Sequence, residues 1–267
     1  MIDIGVNLLH PQFDGDREAV LQRAREAGIT DMIITGTNIA ESRGAMNYCE
    51  TLGASLFCTA GIHPHDARNA APGWQDALRA LAQHPRVVAI GETGLDFNRN
   101  FSPPEAQETV FRGHLAVARE IDLPLFVHDR DASATVLHAF REVLGPSRNA
   151  ATNVVVHCFT GNAAALSEYL ALGCYIGITG WLCDHRRGAG LRALVPEIPL
   201  DRLLVETDAP FLRPQNAPAG ADGRRNEPAL LPYVIQKLAQ CLGEDPERIA
   251  EWTARNARRL FRLPLPS

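Results

Sequence analysis

The chain has 267 residues, of which 46% are hydrophobic and 21% charged, and its formal net charge is −5. This length, just above the roughly 250 residues of a (β/α)8 barrel, predicts one domain over residues 1–267, and the lack of any run of about 18 apolar residues excludes a membrane span. The acidic balance argues against broad electrostatic adhesion to nucleic acid, and a start without a secretory signal leads us to expect a cytoplasmic protein.

Eight short apolar runs bounded by turn residues predict β-strands. In chain order they are Asp3–Val6, Met32–Thr35, Leu56–Ile62, Val87–Gly91, Leu125–Val127, Val154–Val156, Tyr175–Ile178 and Leu203–Glu206. Apolar residues spaced three and four apart predict helices between them, at Arg17–Ala27, Glu41–Leu52, Trp74–Gln83, Pro104–Ile121, Ala132–Leu144 and Ala163–Leu172. Two further helices, Ala229–Leu242 and Pro246–Phe261, follow a long proline-rich loop over 210–228. A loop of this length is often functional, and we expect it to overhang the site.

Strand and helix alternate along the chain, which is the pattern of repeated right-handed βαβ units. An open doubly wound sheet would usually carry a glycine-rich phosphate turn after its first strand, and the sequence has none. We therefore predict an α/β fold, a TIM (β/α)8 barrel with C-terminal extra helices.

Four of the predicted strands end on, or just before, a side chain that binds metals. These residues are Glu92, His128, His157 and Asp208. The carboxyl ends of barrel strands meet on one face, so the four side chains should converge there. Burying them without a cation would leave costly unpaired polar groups. The sequence predicts a divalent metal site.

Two histidines, His63 and His65, follow the third predicted strand on either side of Pro64. Either imidazole could reach a metal or a substrate phosphate, and a rigid turn with a structural histidine is the alternative.

A metal site with a carboxylate beside it is typical of a hydrolase that needs no nucleophilic side chain. A cation lowers the pKa of water, and a carboxylate such as Asp208 takes the proton as attack begins. The six cysteines show no Cys-x-x-Cys spacing. We expect them to be inert thiols, with Cys158 packed in the core because neighbouring strand residues face opposite sides.

Arginines follow several strand ends and should surround the same face. Arg99, Arg130 and Arg225 are the candidates for substrate phosphate, and others of this group are Arg186, Arg187, Arg213 and Arg224. Guanidinium groups bind phosphate bidentately. Aromatic rings near the same strand ends offer stacking faces for unpaired bases: Phe97, Phe101, Phe159, Trp181 and Phe211.

A set of ordered motifs spanning nearly the whole chain resembles the TatD family of metal-dependent deoxyribonucleases. The motifs lie at 3–7 (DIGVN), 61–65 (GIHPH), 91–97 (GETGLDF), 128–132 (HDRDA), 157–161 (HCFTG), 177–181 (GITGW), 206–210 (ETDAP) and 225–228 (RNEP). Each motif alone is weak to moderate, but the ordered set is specific.

The resemblance implies a Mg²⁺-dependent 3′→5′ exonuclease on a TIM barrel, acting on single-stranded DNA and also on RNA. It implies that Glu92, His128, His157 and Asp208 bind metal and that Asp208 is the general base. It further implies that His63 and His65 engage the metal or the scissile phosphate. A role in DNA repair comes from this likeness alone, and no obligate protein partner is inferred.

The sequence departs from the wider family at the first strand. Many relatives carry His-x-His there, whereas Gly5 and Asn7 stand in those positions here. A site richer in oxygen donors suits Mg²⁺ or Mn²⁺ better than Zn²⁺, and the number of metals stays open.

Two alternatives remain at this point. The first is a metal-dependent amidohydrolase or lactonase, whose sites commonly use the first-strand His-x-His and a bridging lysine. The chain has neither that motif nor a second lysine beside Lys237, which lies on a late helix. The second is a non-catalytic metal-binding protein, which has no reason to keep a complete ligand set at strand ends.

Overall fold

Eight parallel strands in the order β1 to β8 form the centre of the computed structural model, which describes residues 1–53, 55–218 and 225–265. The strands are β1 Ile2–Val6, β2 Asp31–Ile34, β3 Leu56–Ala60, β4 Val87–Asp96, β5 Leu125–Arg130, β6 Val154–His157, β7 Tyr175–Ile178 and β8 Leu203–Val205. A parallel bridge joins Val6 of β1 to Ala209, which lies four residues beyond β8, and nearly closes the barrel. The predicted TIM barrel is confirmed.

Helices surround the barrel. They are α1 Arg17–Glu26, α2 Ile39–Leu52, α3 Trp74–Ala82, α4 Pro104–Ile121, α5 Ser133–Val143, α6 Ala163–Ala171, α7 Ala189–Leu194, α8 Leu231–Leu242 and α9 Pro246–Phe261. Short 3-10 helices lie at Pro11–Phe13, Pro64–Asn69, Gly180–Cys183, Val195–Glu197, Leu200–Arg202 and Pro228–Leu230. No helix within these described residues is both long and apolar enough to cross a membrane.

Local chemistry explains several helix ends. Asn38 accepts a hydrogen bond from the backbone N–H of Glu41, and this cap starts α2 two residues earlier than the apolar spacing predicts. Helix α8 ends at Gly243, which has a left-handed backbone that glycine adopts without a steric cost. Helix α7 was not predicted, because six residues are too few for a helical period to show.

The core has two layers. Between strands and helices lies the larger one, which includes Ile34, Cys58 and Phe111. A smaller cluster fills the interior of the barrel with side chains from all eight strands, among them Ile4, Phe126 and Leu204. Ala257, Leu260 and Phe261 of α9 pack into this second cluster, so the C-terminal helix closes one end of the barrel.

Polar side chains attach α9 to the end of the barrel that it closes. Arg258 pairs with Asp31 at the start of β2 at 2.9 Å, and the side-chain amide of Asn256 donates to the carbonyls of Leu200 and Leu203. Functional sites of such barrels lie at the opposite end, where the strands finish.

A buried histidine makes the stability of this fold depend on pH. His114 of α4 donates from Nδ1 to the carbonyl of Val110 and accepts the N–H of Ile62 at Nε2. Burial lowers its pKa from 6.5 to about 4, because the neutral ring alone fits these two partners.

We expect the free energy of unfolding to fall as the pH falls from about 6.5 to about 4, since the unfolded chain then takes up a proton that the folded chain refuses. The full contribution of His114 is about 3 kcal/mol, and it is present above pH 6.5. Urea denaturation at pH 7 and pH 5 measures most of this loss, about 2 kcal/mol. The His114→Gln variant is the control and should lose less stability over this interval; an equal loss contradicts the assignment.

Candidate active site

A cavity of about 750 Å³ opens at the carboxyl end of the barrel, where the strands deliver their last side chains. Its wall contains every residue predicted from the sequence to bind metal or to act in catalysis: His63, His65, Glu92, His128, His157 and Asp208. These residues come from five strand ends and are far apart along the chain. The structure brings them to one place, and their roles stay predictions.

The carboxylate of Glu92 is the centre of the cluster. Its Oε1 lies 2.9 Å from Nε2 of His157 and 3.1 Å from Nε2 of His63. Nδ1 of His128 lies 3.2 Å from the same oxygen. Three imidazoles therefore face one buried carboxylate oxygen, and His63 belongs to this cluster as closely as His128 and His157 do.

The charges in this cluster stabilise each other. Burial alone would raise the pKa of Glu92, but the facing imidazoles of His63 and His157 outweigh it and hold the pKa well below its usual range. Burial alone would lower the pKa of His157, yet the carboxylates of Glu92 and Glu206 keep it well above its usual range. Strongly perturbed groups gathered in a cleft are typical of functional sites.

A second carboxylate, Asp96 at the end of β4, extends the cluster towards the rim. His65 donates from Nε2 to Oδ2 of Asp96 at 2.6 Å, and Nε2 of His128 lies 3.7 Å from the same oxygen. The backbone N–H groups of Asn98 and Arg99 donate to Oδ1. Asp96 is thus fixed in place and holds the ring of His65 in turn.

Asp208 lies on another wall of the cavity, beyond the end of β8. The side-chain amide of Asn7 donates to its Oδ1 at 3.0 Å, and its backbone N–H donates to the carbonyl of Gly5. Burial is the main reason that the pKa of Asp208 is raised to about 7, and the nearby carboxylates of Glu92 and Glu206 add to it. A carboxyl group with this pKa can exchange a proton at neutral pH.

The cluster has the donor chemistry of a divalent metal site. Ligand atoms of His63, Glu92 and His128 all lie within 4.8 Å of one another. Within the described ranges, Nε2 of His128 is buried and has no hydrogen-bond partner, which leaves its lone pair or proton uncompensated. Imidazole and carboxylate together suit a divalent cation. Because three histidines face the site, it has more nitrogen ligands than we expected from the missing His-x-His motif on the first strand.

Two of the arginines predicted for phosphate line the cavity, Arg99 and Arg130. The guanidinium of Arg130 donates to the hydroxyl of Thr160 at 3.0 Å and lies 5.2 Å from the ring centre of Trp181. Arg187 lies over the same ring at 4.3 Å and pairs with Asp184. The cavity therefore has a positively charged side next to β5 and β7.

Arg225 has a different environment. In the part of the chain that the structure describes, it is absent from the cavity wall, and both of its terminal nitrogens contact Asp16 at 2.7 Å. Glu227 pairs with Arg23 at 2.6 Å. These contacts favour a structural role in holding the loop to α1, and phosphate binding by Arg225 stays a prediction. Arg224 lies outside the described residues.

The predicted aromatic rings fall into three groups. Phe159 is buried and packs against Tyr169, so the expectation that it offers a stacking face was wrong. Trp181 is covered by two guanidinium groups, and Phe97 is partly buried against the core. Phe101 and Phe211 are 54% and 46% exposed, and each contacts a histidine ring of the cavity wall. These two phenylalanines are the rings that remain open to a base.

Cys158 corrects our prediction of a core thiol. Its backbone φ is +45°, which breaks the alternation of the strand, and the residue lines the cavity. The thiol lies 3.5 Å from the hydroxyl of Thr179. Burial, and the nearby carboxylates of Asp208 and Glu206, keep its pKa well above its usual range, so the thiol stays neutral.

Two carboxylates of the site, Asp96 and Glu206, were not assigned a role from the sequence. The signal that identifies them is spacing. Residues two or four apart on a strand share a face, so Asp96 follows Glu92, and Glu206 precedes Asp208, on the side towards the cavity.

Comparison with known proteins gives a consistent result. Residues 2–262 match the family model described as TatD related DNase. A protein of Pectobacterium carotovorum named 3'-5' ssDNA/RNA exonuclease TatD is 50% identical over 98% of this chain and 100% of its own length. One of the same name from Erwinia amylovora is 51% identical over 98% of this chain and all of its own length.

Solved structures agree with these matches. The crystal structure of a TatD homologue from Escherichia coli has a TM-score of 0.88 and 27% identity, and the match covers 99% of this chain and 98% of that one. The organophosphorus hydrolase from Deinococcus radiodurans, at 18% identity and a TM-score of 0.63, is similar in fold alone. The match covers 97% of this chain and 92% of that one.

Proposed function

Because this chain belongs to the family of TatD-related DNases, we propose that it is a divalent-metal-dependent 3′→5′ exonuclease of single-stranded DNA and RNA. Its relatives carry that activity in their names. The observation that supports the proposal most strongly is the cluster of Glu92 and three imidazoles, which shares one cavity with Asp208 and Arg130. A cytoplasmic location, a role in repair and a single domain over 1–267 stay predictions.

We propose that Glu92, His63, His128 and His157 hold the cation, with Asp208 as a further ligand. Mg²⁺ is the first candidate from the sequence, and the imidazole nitrogens make Mn²⁺ an equally good fit; Zn²⁺ is the less favoured choice. When bound, such a cation would neutralise charge on the phosphate and lower the pKa of an attacking water.

Asp208 is the proposed general base. Its pKa of about 7 places it near the working pH, where a base is most effective, and Asn7 holds its carboxylate in one orientation. The carboxylate oxygen that Asn7 does not contact would take the proton of the attacking water. Of the two histidines that follow β3, His63 is assigned to the cation, and His65 is proposed to contact the scissile phosphate.

The substrate would lie across the cavity mouth. Arg130 and Arg99 supply charge for the backbone phosphates, and Phe101 and Phe211 supply rings on which unpaired bases can stack. Stacking on an open ring needs a base that is not already paired. This requirement favours single strands over duplexes.

Digestion of an oligonucleotide tests the proposal. The purified protein is incubated with a 5′-labelled single strand or the matching duplex, with Mg²⁺, with Mn²⁺, or with EDTA. We expect a ladder of successively shorter labelled products from the single strand, slower digestion of the duplex, and none in EDTA. A labelled mononucleotide as the first product would contradict the polarity. An intact strand with turnover of a lactone or amide would favour a carbonyl hydrolase.

Replacing Arg130 by glutamine should weaken substrate binding. A charge-assisted hydrogen bond to phosphate is worth roughly 1.5–3 kcal/mol, so we expect kcat/KM to fall about 10- to 100-fold, mainly through KM. The control is Arg112→Gln, because Arg112 lies on the outer surface of α4 and pairs with Glu142 of α5. Steady-state kinetics on a short oligonucleotide measure both. Equal values for the two variants would show that Arg130 does not bind phosphate.

A further inference from the structure

A third buried carboxylate lies beneath the cluster, and the proposed mechanism does not use it. Glu206, directly after β8, is fully buried. The backbone N–H of Cys158 donates to its Oε1 at 2.6 Å. Its Oε2 has no hydrogen-bond partner in the described part of the chain. A half-satisfied carboxylate at this depth costs free energy, so it requires an explanation.

Two glycines make room for this carboxylate. A methyl group added at Gly5 would overlap Oε2 of Glu206, and one added at Gly177 would lie 2.7 Å from Oε1. Gly5 is on β1 and Gly177 on β7, the two strands that flank β8 in the closed barrel. The side chain of Glu206 thus occupies the space that a larger residue on the first strand would need.

The group that faces the free oxygen is His157. Its Nδ1 lies 3.4 Å from Oε2 of Glu206 and likewise has no hydrogen-bond partner among the described residues. Its Nε2 points the other way, to Oε1 of Glu92 at 2.9 Å. The ring stacks on Phe126 at 4.3 Å, which fixes its plane. His157 therefore lies between two buried carboxylates.

We propose that Glu206 is a positioning residue for His157. By accepting the Nδ1–H, it selects the tautomer whose lone pair is on Nε2 and turns that lone pair towards Glu92 and the proposed cation. An outer carboxylate of this kind orients a ligating histidine and increases its basicity. The inference rests on the proposed cation site, but it does not depend on which substrate is cleaved.

Metal affinity, measured without any nucleic acid, is the first test. Mn²⁺ binding to the full chain is followed by electron paramagnetic resonance for the unmodified protein, Glu206→Ala and Glu206→Gln. We expect the dissociation constant to rise about 10- to 100-fold in Glu206→Ala. Glu206→Gln should be affected less, because its amide oxygen can still accept one hydrogen bond.

The matched control is Asp31→Asn. Asp31 is a buried carboxylate at the other end of the barrel, paired with Arg258. Its loss should lower stability and leave Mn²⁺ affinity unchanged. If Glu206→Ala binds Mn²⁺ as tightly as the unmodified protein, or if Asp31→Asn weakens binding equally, the inference is overturned.

The tautomer of His157 is the second test, and a merely structural role would not change it. In ¹⁵N-histidine-labelled protein saturated with Mg²⁺, we expect Nδ1 of His157 to be protonated and Nε2 to be unprotonated. Glu206→Ala should shift this balance, with His157→Gln used for assignment. An identical spectrum in the variant contradicts the proposal. A shifted spectrum in a protein that cleaves no nucleic acid would support the role of Glu206 and refute the nuclease assignment.

A double-variant comparison tests the packing. Gly5→Ala alone should lower the melting temperature, because the new methyl group and Glu206 compete for one space. Gly5→Ala combined with Glu206→Ala should cost less than the two single changes together. Gly177→Ala should show less of this rescue, since its added methyl group would also lie 3.0 Å from the backbone of His157. Strict additivity for Gly5 would contradict the arrangement.

Discussion

Replacing Glu92 by glutamine should abolish nuclease activity and cation binding together. The carboxylate is the group that all three imidazoles face, and it carries the negative charge that balances them. A neutral amide of the same size keeps the shape and removes that charge. Because a cation supplies several kcal/mol to the reaction, we expect kcat/KM to fall by about a thousandfold or more.

Two measurements separate this outcome from simple unfolding. Mn²⁺ titration should show no tight site in Glu92→Gln, while circular dichroism should show an unchanged helix and strand content. The control is Glu120→Gln, since Glu120 is exposed on α4 and pairs with Arg79. Its activity should stay within about twofold of the unmodified protein. A Glu92→Gln variant that still binds Mn²⁺ and digests single strands would exclude the proposed cation site.

Replacing Asp208 by asparagine should lower kcat by about 10² to 10⁴, the usual contribution of a general base. The amide keeps the hydrogen-bonding shape beside Asn7, so substrate binding and KM should change much less. In the unmodified protein the base acts only when deprotonated. Activity should therefore fall as the pH drops below the pKa of Asp208, which is about 7 and moves lower when a cation binds nearby.

The pH profile of kcat under single-turnover conditions measures this effect. We expect the acid limb to be present in the unmodified protein and absent from the residual activity of Asp208→Asn. Asn7→Ala is the milder comparison, because it removes the hydrogen bond that orients Asp208 and leaves the carboxylate in place. If Asp208→Asn keeps full kcat, another group accepts the proton.

Much of the barrel could be predicted because its strands are short apolar runs with clear ends. The rule that such strands finish on one face was enough to predict that Glu92, His128, His157 and Asp208 share one cavity. What the pattern could not predict is how far a strand continues through polar residues. β4 runs past Gly91 to Asp96, since Glu92, Thr93 and Asp96 are all buried there.

The other differences come from backbone geometry and from long-range pairing. Cys158 faces the cavity because its φ is positive, and no alternation of apolar and polar residues indicates a single residue of that kind. Arg225 pairs with Asp16 although 209 positions separate them in sequence, so nothing near either residue indicates the partner. Local sequence patterns predict helices and strands. Contacts across the barrel cannot be predicted from them, because they depend on the fold as a whole.

The position of α9 has a consequence for synthesis on the ribosome. Ile4 on β1 and Phe261 on α9 belong to the same apolar cluster, so the first strand and α9 pack together there. While α9 is still inside the ribosome, one side of this cluster is exposed to water. Exposed apolar surface of that kind makes an incomplete chain prone to aggregation and dependent on chaperones. Folding of the barrel is therefore complete only after α9 has been synthesised.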